Sequence, residues 1–491
     1  MAATATEIHE VTRRGSRNIF GHGIALLAAA LMMSWTAIYN GFPLLYPDSM
    51  TYLDDGRIVA RALFLHKFST YYGMRSLIYS LGILPWHWNI NPWPIVALQS
   101  LITAYVLWLV VRSVVPRDTT AYYLLLVLLL SLSTSLSWYV PIMLPDFLGP
   151  VLYLSIYLLV FAGDTISRGE RIALYVIGWW AVTAHASHLI LGAALCVFLL
   201  ILFLIRPRML RLKSIGEVAA ILLLAVAAQL ALNGYLYGKL ALNGERPPFL
   251  TARAIADGPG RWYLDKHCGE VKWVICDHLK NASSDPDNFL WGSDGVWQNL
   301  PEEQGERMIH EEIPFALATI RAYPLQQLSR SAANFRRQLV TFGYDDLDPS
   351  SWVLDEFNTV LPGQRSRYLQ SKQAHDALPR DFFTSLQNWT VFVSLVVIVV
   401  SVPLLWRRGP AQIHRLTLVV AFVVVANALV TGTLSMVEDR LQCRVVWLVP
   451  FLAGLLALLW TTQYRESKMH RADQDAYLPG EHTQAAKPLA V

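Results

Sequence analysis

Three aspartates lie within eight residues directly after the first apolar run of the chain. The stretch FPLLYPDSMTYLDDGR, residues 42–57, contains Asp48, Asp54 and Asp55 together with Tyr52 and Arg57. On a helix, Asp48, Tyr52 and Asp55 would lie near one face because they are spaced i, i+4 and i+7. Carboxylates beside hydrocarbon are costly and are often functional. We therefore expect Asp48 or Asp55 to act as a general base, with Tyr52 and Arg57 contacting the substrate.

A structural role for the same residues is the alternative. Thr51 and Asp54 have the spacing of a capping box, and Asp48 could be the N-cap of the helix that follows. Asp54 and Arg57 could then form a surface ion pair, on an amphipathic helix that lies on the outer membrane surface. Ser, Thr or Asn would cap equally well, so capping does not explain three acids. We prefer Asp48 as the catalytic acid because it precedes the helix.

Two further turns contain charged residues of the same kind. Asp146 lies in LPDFLGP, where its alternative role is an N-cap, and Arg440 and Arg444 lie in EDRLQCR. Two arginines at i and i+4 point the same way on a helix and can grip a phosphate or diphosphate. Alternatively, Arg440 pairs with Asp439 at the surface, or both arginines extend to lipid headgroups.

A histidine pair, His185 and His188, lies in TAHASHLIL. Such a pair can face one ligand, bind phosphate as imidazolium or move a proton. The alternative is two interfacial histidines without a task. We do not expect a closed metal site here, because only two ligands are local.

The elements that must position these residues are membrane helices. The chain has 491 residues, of which 54% are hydrophobic and 15% charged, well below the charge content of soluble domains. Its net charge of +4 gives no argument for nucleic-acid binding. Ten apolar runs are long enough to predict an all-α polytopic protein. They cover residues 19–40, 93–114, 119–140, 147–163, 172–186, 188–205, 215–235, 388–406, 415–437 and 445–463.

The basic residues predict the topology. With ten crossings, every basic cluster at the helix ends falls on one side, so the positive-inside rule places both termini in the cytoplasm. Compact loops and short tails favour a bacterial inner membrane. The outward regions are then 41–92, 141–146, 185–188, 236–387 and 438–444, and they contain all the candidate residues. We therefore expect one site on the periplasmic side.

Four parts follow along the chain. Residues 1–235 form an N-terminal membrane module, 236–387 an extracytoplasmic segment, 388–463 the last membrane helices and 464–491 a cytoplasmic tail. The extracytoplasmic segment is expected to be mixed or mostly helical, with residues 302–342 broken by two prolines. Cys268 and Cys276 lie in this segment, in an oxidising compartment, and a disulfide is expected between them; two unpaired cysteines are the alternative.

The pattern resembles the GT-C superfamily of polyprenyl-phosphate-sugar-dependent glycosyltransferases, a family of enzymes of the cell envelope. YPDSMTYLDDGR at 46–57 resembles the acidic motif of the family's long first outer loop with its juxtamembrane helices, and LPDFLGP at 144–150 resembles the acid of the second outer loop. The resemblance implies that Asp48 deprotonates the acceptor. Asp146, with Asp48, would correspond to residues that hold a divalent metal ion in some members. The first loop departs from the common pattern, because the paired acids are Asp54 and Asp55 while Asp48 precedes Ser49.

The resemblance further implies an inverting sugar transfer from a polyprenyl-phosphate donor, with Arg440, Arg444 or a histidine neutralising the leaving phosphate. Other function classes remain open. A transporter or flippase would use the same cations to bind without turnover, although the sequence has no internal repeat of the kind that transporters often show. A lipid-linked polysaccharide polymerase or ligase is chemically close to the first hypothesis.

Overall fold

The computed structural model describes residues 21–69, 75–115, 119–242, 246–405 and 409–461, and every regular element in these ranges is a helix. The helices before the extracytoplasmic segment are α1 (Gly21–Met33), α2 (Trp35–Asn40), α3 (Pro47–Leu65), α4 (Leu77–His87), α5 (Trp93–Val114), α6 (Thr119–Ser133), α7 (Leu136–Tyr139), α8 (Leu148–Phe161), α9 (Arg168–Ala184), α10 (Ala186–Ile205) and α11 (Leu212–Tyr237). A short 3-10 turn, Pro145–Phe147, leads into α8.

The second half continues in the same way. Its helices are α12 (Phe249–Ala256), α13 (Pro259–His267), α14 (Val274–Asp277), α15 (Pro286–Trp291), α16 (Glu302–Ala322), α17 (Pro324–Val340), α18 (Ser351–Val360), α19 (Arg365–Tyr368), α20 (Arg380–Leu405), α21 (Ala411–Leu434) and α22 (Asp439–Thr461).

Six of the described helices are long and apolar enough to cross a membrane: α5, α10, α11, α20, α21 and α22. The predicted number of ten crossings is not confirmed. Three predicted runs contain shorter apolar helices, namely Gly21–Met33, Thr119–Ser133 and Pro145–Phe161. A fourth run corresponds to α9, which has 17 residues and includes charged residues in its first turn.

Helix α8 is the centre of the bundle. All of its residues from Leu148 to Phe161 are buried, and it packs against α5, α9, α10, α11, α21 and α22. A helix that is apolar on every side is typically buried among other helices. Asp146, just before α8, is therefore carried to the middle of one end of the bundle.

The opposite end of α8 is surrounded by basic side chains. Arg112 forms an ion pair with Glu170 at 2.8 Å, and Arg171 forms one with Glu217 at 3.2 Å. Arg415 donates to the carbonyl oxygen of Phe161 at 3.3 Å. The structure thus gathers basic residues of three separate segments at one end of the bundle, as the predicted topology requires.

The first loop forms two packed helices, α3 and α4, as predicted, but α3 begins differently. It starts at Pro47, and the hydroxyl of Ser49 accepts a hydrogen bond from the N–H of Tyr46 at 3.0 Å. The predicted capping box of Thr51 and Asp54 is wrong, because both residues lie inside the helix. Asp48 lies in the first turn and is not the N-cap, so its carboxylate is not used for capping.

Asp48 is positioned by a contact from far along the chain. Gln373 binds the backbone of Leu45 in both directions, accepting from its N–H at 3.0 Å and donating to its carbonyl at 2.6 Å. Asn40 accepts a hydrogen bond from the N–H of Gln373 at 2.7 Å. These three bonds, which we call the Gln373 clasp, fix the segment of chain that leads into α3.

Helices are the only regular elements in the described part of residues 236–387, and turns and irregular chain connect them. A small core forms around Phe289 and Phe315, and Cys268 and Cys276 are joined by a disulfide at its side. Of the two prolines expected to break residues 302–342, Pro314 lies inside the continuous α16, and only Pro324 coincides with a break, since it begins α17.

Candidate functional site

Four separated segments bring charged side chains together at the end of α8 that carries Asp146. Asp48 forms an ion pair with Arg75, which lies just before α4. The guanidinium of Arg440, in the first turn of α22, lies 3.5 Å from Asp48 and 3.9 Å from Asp146. Arg440 therefore bridges the two acids that the sequence singled out in different loops.

Arg444 contacts Asp146 on the buried side of the cluster. Its guanidinium lies 3.7 Å from Asp146, and its Nε and Nη2 donate to Oδ1 of Asn427 on α21 at 3.1 and 2.8 Å. Neither oxygen of Asp146 accepts a hydrogen bond from the described residues. Asp146 thus acts through charge, holding Arg440 and Arg444 side by side as their i, i+4 spacing predicts.

Arg440 has further contacts on its other side. Its guanidinium stacks over the ring of Tyr46 at 4.2 Å, an arrangement favoured by the negative face of the ring. The carboxylate of Glu438 lies 3.8 Å from the Arg440 guanidinium. The backbone N–H of Arg440 donates a hydrogen bond to Asp346 at 2.6 Å. These contacts hold the guanidinium in one place at the point where the loops meet.

The exposed fraction of the side chains decreases across the cluster and shows which groups are nearest to solvent. The side chain of Arg75 is 21% exposed, those of Asp48 and Arg440 are 13% and 12%, and those of Asp146 and Arg444 are 2% and 0%. A ligand that approaches from solvent therefore meets Arg75, Asp48 and Arg440 first. Asp146 and Arg444 form the floor.

The wall beside Asp48 is aromatic. Tyr52 is buried one turn further along α3 and meets Tyr79 edge to face at 5.0 Å. Burial raises the pKa of Tyr52 above its usual range, although Arg75 acts in the opposite direction. Tyr52 is therefore a neutral phenol beside the carboxylate, at a position consistent with the predicted contact to substrate.

Asp55 and Arg57 are placed differently from Asp48. Arg57 forms an ion pair with Asp54, as the structural alternative predicts. Asp55 is buried in α3, while the ion pairs of Arg75, Arg440 and Arg444 go to Asp48, Asp146 and Glu438. The structure thus favours Asp48 over Asp55 as the acid that contacts these arginines, and it offers no support for Arg57 as a ligand of the same group.

The two histidines lie next to the cluster with their rings 5.4 Å apart. The Nδ1 of His188 is 2.8 Å from the carbonyl oxygen of Ala181, and the Nδ1 of His185 is 2.8 Å from the hydroxyl of Ser187. Burial holds the pKa of His185 well below its usual range, and His188 and the arginines lower it further. His185 is therefore neutral, which argues against an imidazolium that binds phosphate.

A metal ion fits this arrangement poorly. Asp48 and Asp146, the predicted ligands, already contact guanidinium groups. The described part of the chain contains no group of three or more His, Cys, Asp or Glu side chains arranged to hold a metal ion. A divalent cation between the two acids would have to displace Arg440.

Sequence reasoning missed Arg75, and it did not separate Glu438 from its neighbour Asp439. Arg75 is one of four basic residues in the first loop, and its spacing from Asp48 gives no signal that the two will pair. Glu438 adjoins the arginines in sequence, yet only its burial distinguishes it from Asp439. Trp291 lies within residues 236–387, and its ring is 6.0 Å from the guanidinium of Arg75, so this part of the chain reaches the site.

Comparison of the chain with protein-family models, with curated proteins and with solved structures finds no match in any of the three.

Proposed function

We propose that this protein is an integral membrane glycosyltransferase that moves a sugar from a polyprenyl-phosphate donor to an acceptor hydroxyl on the outer face of the membrane. The observation that carries the proposal is the position of Asp48. Its carboxylate lies at the solvent side of a buried arginine cluster and contacts two arginines at once, Arg75 and Arg440. The acceptor would be a glycolipid, a polysaccharide or a protein.

In the proposed step, Asp48 accepts the proton of the acceptor hydroxyl while the acceptor oxygen attacks the anomeric carbon. The bond between that carbon and the phosphate oxygen breaks, and its electron pair leaves with the phosphate. Attack from the side opposite to the leaving group inverts the anomeric configuration. A general base must lie within hydrogen-bond reach of the proton it removes, and Asp48 is the acid at the mouth of the cluster.

The shared arginines couple the two halves of this reaction. When the glycosidic bond breaks, the leaving phosphate gains one negative charge. At the same moment Asp48 loses its charge by taking the proton, and Arg75 and Arg440 are released from it. The two guanidiniums can then neutralise the phosphate, which stabilises the transition state more than the ground state. Asp146 and Arg444 hold Arg440 in place for this transfer.

Asp48→Asn tests the proposal. The purified protein in lipid nanodiscs is mixed with a panel of polyprenyl-phosphate sugars and acceptors, and free polyprenyl phosphate is measured. We expect the wild type to release polyprenyl phosphate and Asp48→Asn to lose at least about a hundredfold in rate, as expected for removal of a general base. Asp355→Asn, a change of an exposed acid on α18, should leave the rate unchanged.

Two results would contradict the proposal. Full activity of Asp48→Asn with every donor that the wild type accepts would exclude the assigned mechanism. Movement of the intact donor across a vesicle membrane, without release of polyprenyl phosphate, would favour a flippase instead.

A further inference from the structure

Carboxylates outnumber guanidiniums around the proposed phosphate position. The described cluster contains Arg75, Arg440 and Arg444 as its cations. Against them stand four acids, namely Asp48, Asp146, Glu438 and Asp346. With all of these groups ionised, the cluster has a net charge of −1. Binding of an anionic phosphodiester is therefore favoured by the loss of one of these negative charges.

Of the three acids that form ion pairs with these arginines, Asp48, Asp146 and Glu438, Glu438 is bound most weakly. Asp48 has two arginine partners, Arg75 and Arg440, and Asp146 likewise has two, Arg440 and Arg444. The ion pair recorded for Glu438 is a single contact of 3.8 Å with Arg440. Of these three acids, Glu438 therefore loses the least attraction to the arginines when it is protonated.

The surroundings of Glu438 also oppose its negative charge. Its side chain is about four-fifths buried, and the backbone is fixed by Gln338, which accepts from its N–H at 3.0 Å and donates to its carbonyl at 2.8 Å. The titratable and charged groups that face it are Arg440, Asp346, Asp287, Asp48 and Tyr46. Burial raises the pKa of Glu438 to about 7, and the attraction of Arg440 only partly offsets this.

We propose that Glu438 takes up a proton when the phosphodiester headgroup of the donor binds, so that the ligand's negative charge replaces that of Glu438 beside Arg440. This inference rests on the proposed function, since it concerns the same arginines. Glu438 is a positioning residue in this scheme. It controls whether Arg440 is available to the phosphate, and it is not a group that reacts.

The sign of the resulting pH dependence follows directly. Below about pH 7 Glu438 is already protonated, and binding requires no further proton. Above that pH each binding event must draw a proton from solution, so affinity falls by about tenfold per pH unit. Phosphate binding that weakens with rising pH around neutrality is therefore the signature of this coupling.

Farnesyl methyl phosphate is a suitable probe, because it is a prenyl phosphodiester that carries no sugar and does not titrate near neutral pH. Its dissociation constant is measured by isothermal titration calorimetry on the full-length protein between pH 6 and 8.5. In the wild type we expect a constant Kd at the acid end and a tenfold rise per pH unit above about pH 7. Glu438→Gln should keep the low-pH Kd at every pH. Glu303→Gln, a change of an exposed acid in the first turn of α16, should behave as the wild type.

Proton uptake gives a second measurement that needs no variant. At pH 8, calorimetry in two buffers with different ionisation enthalpies should show the wild type taking up nearly one proton per bound ligand, and Glu438→Gln taking up none. A structural role for Glu438 would not change this number.

Three results would overturn the inference: a pH-independent Kd in the wild type, no proton uptake, or an unchanged pH profile in Glu438→Gln. If sugar transfer persists in any of these cases, only the coupling is wrong. Absence of both probe binding and sugar transfer would overturn the proposed function as well.

Discussion

At the scale of single residues, Arg444 is a charged group at the buried side of the site. Its side chain is fully buried, and it is held by one carboxylate, Asp146, and one amide, Asn427. A buried charge is stable only while its partners remain, because water cannot reach this position to take their place. The floor of the site therefore depends on this one guanidinium.

Arg444→Met should destabilise the protein strongly. It leaves Asp146 with only the 3.9 Å contact to Arg440, and we expect the free energy of unfolding in mixed micelles to fall by about 3–5 kcal/mol. The matched control is Arg261→Met, which removes an exposed ion pair with Asp265 and should cost less than about 1 kcal/mol. Equal losses in the two variants would contradict the role assigned to Arg444.

Residue-scale prediction from sequence succeeded where one segment was enough. The Asp54–Arg57 pair and the shared direction of Arg440 and Arg444 both follow from helical spacing, and the structure has both. Arg75 could not be found in this way, because its partner Asp48 is 27 residues away and on a different element. Glu438 differs from Asp439 only in its surroundings, and surroundings are a property of the folded chain.

At the scale of elements, the packing of α3 on α4 decides where Asp48 points. Gly56 lies where α3 comes closest to α4, and a methyl group on it would overlap the carbonyl oxygen of Ser80 and approach Leu84 at 3.2 Å. Because Asp48 lies in the first turn of α3 and Arg75 precedes α4, this close approach also brings their side chains together.

Gly56→Ala should force the two helices apart. We expect a loss of about 1–3 kcal/mol in the free energy of unfolding, as for other overpacked sites, together with slower release of polyprenyl phosphate. Gly169→Ala is the control, since Gly169 in α9 has open space around it and alanine favours a helix. A stability loss confined to Gly169→Ala would show that the packing argument is wrong.

The start of α3 shows why element boundaries were harder to predict than elements. Thr51 and Asp54 had the spacing of a capping box with Thr51 as the N-cap, yet the N-cap is Tyr46, five residues earlier. The helix starts at Pro47, where the fixed backbone angle of proline suits a first turn. Pro314 shows the reverse case, a proline that a helix tolerates. Both outcomes depend on the packing of neighbouring elements, which outweighs local preference.

At the scale of the whole molecule, the grouping of the acids and arginines was predictable. A topology drawn from basic residues alone placed Asp48, Asp146, the histidines and the arginine pair in outward regions, and the structure brings these regions to one end of the bundle. The contacts among them, and the number of helices in the described part of the chain that are long and apolar enough to cross a membrane, required the three-dimensional structure.

The predicted topology can be measured by chemical labelling in a background with Cys196→Ala. A cysteine at Ser284, which is exposed in the extracytoplasmic segment, should react with a membrane-impermeant maleimide in intact cells. A cysteine at Asp164, which is exposed near the basic end of the bundle, should react only after the membrane is opened, because the positive-inside rule places it in the cytoplasm. The opposite pattern would invert the topology and move the proposed site to the cytoplasm.

The Gln373 clasp also has a consequence for how the protein is made. Leu45 and Gln373 are 328 residues apart. The clasp that fixes the loop containing Asp48 therefore cannot form until most of the chain has been synthesised. At roughly 5–20 residues per second this wait lasts roughly 15–65 s. Arg440 follows Gln373 in the chain, so Asp48 is still without this partner when the clasp can first form. The interval before synthesis is complete is therefore the period when this protein most needs protection by the insertion machinery.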